Sequence, residues 1–155
     1  MNFRIIGLPA DWFAPLFGLT ESELASRDIV RMAADRRPGF PCRVSLEDAA
    51  PGERVLLLNY EHLPVASPYR SRYAIFVREN AVDAQLEAGE IPESLRLRLL
   101  SLRAFDEHGM LIDCDVLSGE DLEKGIRRLL HGPAAYLHIH NAKPGCYAAR
   151  VERVA

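Results

Sequence analysis

The residues best suited to chemistry lie together near the carboxyl end, in Tyr136-Leu137-His138-Ile139-His140-Asn141-Ala142-Lys143-Pro144-Gly145-Cys146. On a strand the side chains alternate, so Tyr136, His138 and His140 share one face while Leu137 and Ile139 take the opposite, core face. Two imidazoles at i and i+2 can hold one metal ion together or set two ring nitrogens around one substrate. A third metal ligand would have to come from Glu61, His62, Cys42 or Cys146. The spacing permits a metal at His138 and His140 without requiring one, and with no complete ligand set visible no metal is expected. The plainer account leaves both histidines on a partly exposed sheet face, bonded to water or backbone.

Cys146 follows Pro144-Gly145 and stands near Lys143, a cation of the kind that favours a thiolate. Cys42 has a similar prelude, Arg37-Pro38-Gly39-Phe40-Pro41, and is followed by Arg43. If both Pro-Gly turns meet at one edge of a sheet, two thiols, two histidines and several cations converge, and a nucleophilic thiol with a histidine base becomes conceivable. In that reading Cys146, Cys42, His138 and His140 are the catalytic candidates, with Arg43, Asn141, Lys143 and His62 as ligand-binding candidates. Against it, free cysteine is most often a small buried hydrophobe. Cys114, between Ile112 and Val116, is expected in the core. The strand register after the turn decides which residues join the histidines: one pairing brings Tyr147, Ala149 and Val151 to their face, a one-residue slip brings Cys146, Ala148 and Arg150. Asp113 and Asp115 share a strand face and could act as paired carboxylates, although solvated acids on a hairpin are the simpler account. No Gly-rich phosphate loop, nucleophile elbow or Cys-x-x-Cys is present, and nothing specifies a cofactor.

The elements that must position these groups are read from periodicity and breakers. Asn2 to Gly7 predicts a short strand, and Asp11 to Phe17 a helical turn limited by Pro15. Thr20 and Glu23 have capping-box spacing for a short helix to about Ser26. Asp28 to Ala33 and Cys42 to Leu46 predict strands. Arg54 to Tyr60, a nearly continuous apolar run, predicts a central strand, and Tyr73 to Arg78 another, with His62 to Pro68 as the loop between them. Pro92 to Arg98 predicts a short helix before a strand from Leu99 to Asp106, and His108-Gly109 turns the chain into Met110 to Val116. The main helix is Ser118 to His131, stopped by Gly132-Pro133. Ala134 to Asn141 and Cys146 to Val154 complete the set. Strands with segregated helices predict an α+β fold with a mostly antiparallel or mixed sheet.

Length and composition bound the rest. The 155 residues, 48% hydrophobic, suit one globular domain over 1–155, and no linker-like stretch divides them. With 19 Lys+Arg against 22 Asp+Glu the net charge is -3, which lacks the basic excess that nucleic acid requires. No apolar run approaches the roughly 20 residues of a membrane span. Pro9, Asp11 and Pro15 interrupt any signal-peptide core, so a cytoplasmic protein with reduced thiols is expected. The cations are 17 Arg and two Lys, a bias that GC-rich codons explain better than function does, because the arginines are scattered along the chain.

Three segments carry a resemblance: Pro38 to Leu46, Pro51 to His62, and His138-Ile139-His140-Asn141-Ala142-Lys143-Pro144-Gly145-Cys146-Tyr147. They resemble a small bacterial family catalogued as a domain of unknown function, number 1203, over essentially the whole chain. The resemblance implies a stand-alone bacterial protein and no particular activity. Two functional expectations remain. One is a small-molecule binding or enzyme-like site at the strand end after His140, joined by Cys42-Arg43. The other is a non-catalytic module in which the same residues are structural and an exposed sheet edge supports a homo-oligomer.

Overall fold

The computed structural model describes residues 2–155. Eight strands and three short α-helices follow in the order β1 (Asn2–Ile6), α1 (Glu21–Ala25), β2 (Val30–Ala33), β3 (Arg54–Leu63), β4 (Ser71–Arg78), α2 (Glu93–Arg96), β5 (Leu99–Phe105), β6 (Leu111–Ser118), α3 (Leu122–Leu130), β7 (Tyr136–Asn141) and β8 (Tyr147–Val154). The strands form two sheets, β1-β8-β7-β5-β6 and β2-β3-β4, in which every named ladder is antiparallel. The fold is α+β, as the alternation of short apolar runs with isolated helices predicts.

The larger sheet is covered on both faces. Leu122, Ile126, Leu129 and Leu130 of α3 pack on Leu100, Leu102, Leu137, Ile139 and Val151, and full burial of each such side chain contributes roughly 1.5–3 kcal/mol. On the opposite face β3 and β4 pack Leu56, Leu58, Ile75 and Val77 against Tyr147, and Leu63 meets Phe105 and Tyr136. Strand β7 is therefore buried along its whole length, histidine face included. The expectation of a partly exposed histidine face fails because a second sheet, whose placement no local periodicity encodes, lies over it.

Local signals are met where a short-range cause dominates. Thr20 Oγ1 accepts from the Glu23 amide at 3.2 Å and the Glu23 carboxylate accepts from the Thr20 amide at 2.7 Å, the capping box that starts α1. The main helix is shorter than expected, since Gly119–Asp121 forms a 3-10 turn before α3.

Four expectations are corrected. Cys42 to Leu46 is a tight loop, closed by the Cys42 amide on the Glu47 carbonyl at 2.9 Å and by Leu46 in the left-handed region at φ 57°. Asp28, also left-handed at φ 56°, delays β2 to Val30. His62 belongs to β3, which continues through a bulge between Tyr60 and Leu63 until Pro64 removes the next donor. Cys114 is exposed, because β6 is the edge strand of its sheet and presents Ile112, Cys114 and Val116 outward. Asp113 and Asp115 point to the helix side, where Arg128 bridges both.

Candidate functional site

The turn between β7 and β8 builds one wall of a cleft. The Gly145 amide donates to the Asn141 carbonyl at 2.8 Å and the Asn141 amide to the Cys146 carbonyl at 2.9 Å. Gly145 adopts φ +82°, a conformation that glycine takes without a Cβ penalty. This closure points Asn141 and Cys146 away from the imidazoles. The register resolves as a combination of the two expected pairings: His138 faces Arg150, and a bulge at Ala148 restores Tyr147 opposite His140.

The other wall comes from the Pro41-Cys42-Arg43 segment. It is fixed along β4 by the Arg43 amide on the Phe76 carbonyl at 3.1 Å, and Gly7 approaches so closely that a Cβ there would lie 2.4 Å from the Val44 oxygen. Arg43 is only 2% exposed. Its Nε donates to the Tyr147 carbonyl at 2.7 Å, Nη1 to the Pro41 carbonyl at 2.5 Å, and Nη2 to Cys146 Sγ at 3.0 Å. Asn141 Nδ2 donates to the same sulfur at 3.4 Å. Cys146 thus sits between a guanidinium and an amide at the base of a cleft of about 430 Å³, with Leu57, Phe76 and Tyr73 among its apolar walls.

The electrostatics of this cleft are one-sided. No carboxylate pairs with Arg43 among the described residues, and burial pulls its guanidinium below the ordinary value, an effect the Cys146 sulfur opposes. Arg98 also lines the cleft but is neutralised by Asp48, with contacts of 2.6 and 2.8 Å. Lys143 stands exposed at the rim with no partner among the described residues. Asn141 Oδ1 is buried without a hydrogen-bond partner.

The three histidines form a separate cluster between the sheets. Ring centroids lie 5.0 Å apart for His62 and His140, 6.1 Å for His62 and His138, and 6.2 Å for His138 and His140. His62 stacks on Tyr147, and His138 meets Phe105, Tyr136 and Tyr147 edge-on or tilted. Burial holds all three neutral, pulling His62 down to about 4, His138 to about 2 and His140 to about 3. The Arg103 guanidinium adds to the effect on each of them. His140 Nδ1 meets the Gly145 carbonyl at 2.9 Å, while His62 Nδ1 and His138 Nδ1 have no partner. No group of three or more His, Cys, Asp or Glu among the described residues is arranged to hold a metal ion.

The expected convergence therefore divides. Arg43, Asn141, Lys143 and Cys146 line one cleft, whereas His62, His138 and His140 do not line it. Cys42 turns into the core between the sheets, 2% exposed, where its sulfur accepts the Arg78 amide at 3.3 Å. The two thiols face different ways because Arg43, the residue between the Cys42 segment and the turn, takes the position beside Cys146. Arg98 and Asp48 are absent from the sequence expectations, because a pairing across 50 positions leaves no local signal. A larger cleft of about 780 Å³ lies around Ser45, Asn80 and Pro92, but its Arg78 and Asp48 are engaged in ion pairs.

A family model described as "Protein of unknown function (DUF1203)" matches residues 39–153, most of the chain and all of the cleft's lining residues. No curated protein and no solved structure matches the chain.

Proposed function

The chain belongs to the DUF1203 family of proteins of unknown function, and we propose that this member binds a small molecule in the cleft beneath the β7–β8 turn, with Cys146 as its reactive group. One observation carries the reading: a guanidinium buried without a carboxylate donates to a thiol that lines a cavity. A buried cation lacking a counter-charge is costly, and a bound anion would supply that charge. A sulfur held by two N–H donors is placed as a nucleophile. On attack its S–C bond forms, the leaving group departs with its electron pair, and the thiol proton passes to solvent. The imidazoles take no part, since none lines the cleft.

The test is site-resolved alkylation of the native protein followed by mass spectrometry. Cys146 is expected to react while Cys42 does not, and Arg43→Lys is expected to slow Cys146 about tenfold without changing Cys114. Labelling of Cys146 only after unfolding would assign the sulfur a structural role.

A second reading, a non-catalytic module that self-associates, draws on the exposed edge strand β6 with Ile112 40% and Val116 61% exposed. Two β6 strands paired antiparallel about Cys114 would set Asp113 of one copy against Asp115 of the other, a destabilising opposition. The cleft reading is preferred for that reason. Light scattering on the purified protein separates the two, a stable dimer favouring the second.

A further inference from the structure

We infer that the cleft selects small organic anions: an apolar body bearing one acidic group and a hydroxyl or amide N–H. The inference deepens the proposed function and rests on the cleft being the ligand site.

Three observations define the class. The first is charge. Arg43, Arg98 and Lys143 line the cleft and none of its lining residues is acidic. Asp48 neutralises Arg98, so Arg43 and Lys143 leave a local positive site in a chain of net charge -3. A cleft lined by one sign of charge concentrates the opposite sign, and low-dielectric walls strengthen the attraction. The second is unused hydrogen-bonding capacity. A guanidinium carries five N–H groups, and Arg43 commits three to Pro41, Tyr147 and Cys146. Asn141, 6% exposed and lining the cleft, holds Oδ1 without a donor, a deficit that a ligand hydroxyl or N–H would repair. The third is size and apolarity. About 430 Å³ walled by Leu57 and Phe76 lies toward the small end of ligand pockets and suits a short acyl or single-ring body.

The experiment uses paired probes of equal shape and different charge. The first pair is iodoacetate and iodoacetamide, read at Cys146 by mass spectrometry, with the same thiol in urea as reference. The iodoacetate to iodoacetamide rate ratio is expected to rise about tenfold on folding, and Lys143→Gln to lower it several-fold. A ratio equal to that in urea overturns the inference. The second pair, mandelate and mandelamide, which share the hydroxyl and differ in charge, is measured by calorimetry and does not depend on thiol reactivity. The acid is expected to bind about tenfold more tightly than the amide, and equal binding, or binding of neither, overturns the inference. If Cys146 resists both alkylating reagents while mandelate is still preferred, the ligand class stands and the reactive role of Cys146 falls. If Cys146 reacts with no charge preference, the reactive role stands and the ligand class falls.

Discussion

Arg43 Nη2 lies 3.0 Å from Cys146 Sγ, a contact across 103 positions of sequence that joins the loop before β3 to the turn before β8. The same guanidinium ties the Tyr147 and Pro41 carbonyls, so one buried side chain both closes the fold at this corner and supports the sulfur. Structure and candidate chemistry thus depend on the same residue.

The histidine cluster predicts acid sensitivity. The unfolded chain binds protons at each histidine as pH falls below about 6.5, whereas in the native state His138 and His140 stay neutral to about 2 and about 3. The unfolded state therefore binds more protons in this range, and stability is lost as pH falls from about 6.5 toward those values. Each group costs about 1.4 kcal/mol per pH unit, so the two together remove about 4 kcal/mol between pH 6.5 and 5. Urea denaturation at pH 7.5 and 5 measures this, and His138→Phe, which keeps a ring among Phe105, Tyr136 and Tyr147, should remove about 2 kcal/mol of the loss. A midpoint unchanged between the two pH values would contradict it.

The Arg98–Asp48 pair predicts a large effect from a single polar substitution. Asp48 is 5% exposed and accepts from both Nη atoms of Arg98. Asp48→Asn leaves a largely buried guanidinium without its counter-charge and should destabilise by about 3 kcal/mol. The double variant Asp48→Leu/Arg98→Met should recover most of this in chemical denaturation. A double variant no more stable than Asp48→Asn would show that the pair acts through shape and not charge.

Two glycines separate backbone strain from collision. At Gly145, φ is +82° and nothing lies within 4 Å of an added Cβ, so Gly145→Ala should cost about 1 kcal/mol. At Gly7 the added Cβ would meet the Val44 oxygen at 2.4 Å, and the segment that carries Arg43 must shift. Gly7→Ala should therefore cost more, about 2–3 kcal/mol, and should also alter alkylation of Cys146. Equal melting temperatures for the two variants would contradict the distinction.

What the sequence reveals follows the range of the forces involved. The capping box at Thr20, the alternation of β7 and the amphipathic face of α3 are set by neighbours within a turn or two, and they are legible. The exposure of Cys114 is not, because only the sheet order makes β6 an edge. Burial of His138 and His140 depends on β3 crossing their face, and the division of Cys42 from Cys146 depends on Arg43 turning inward at a tight loop. Four of the eight candidate residues, Arg43, Asn141, Lys143 and Cys146, nevertheless share the cleft. They stand out as candidates because the Lys143-Pro144-Gly145-Cys146 turn and Arg43 carry their chemistry in residue type, whatever the tertiary arrangement.

The most direct measurement is the alkylation rate of Cys146 in the native protein against the same thiol in urea, with Cys42 as the internal buried standard. Support of the sulfur by Arg43 and Asn141 predicts that the native rate equals or exceeds the unfolded one while Cys42 is protected. Equal protection of Cys146 and Cys42 on folding would contradict a reactive thiol in this cleft.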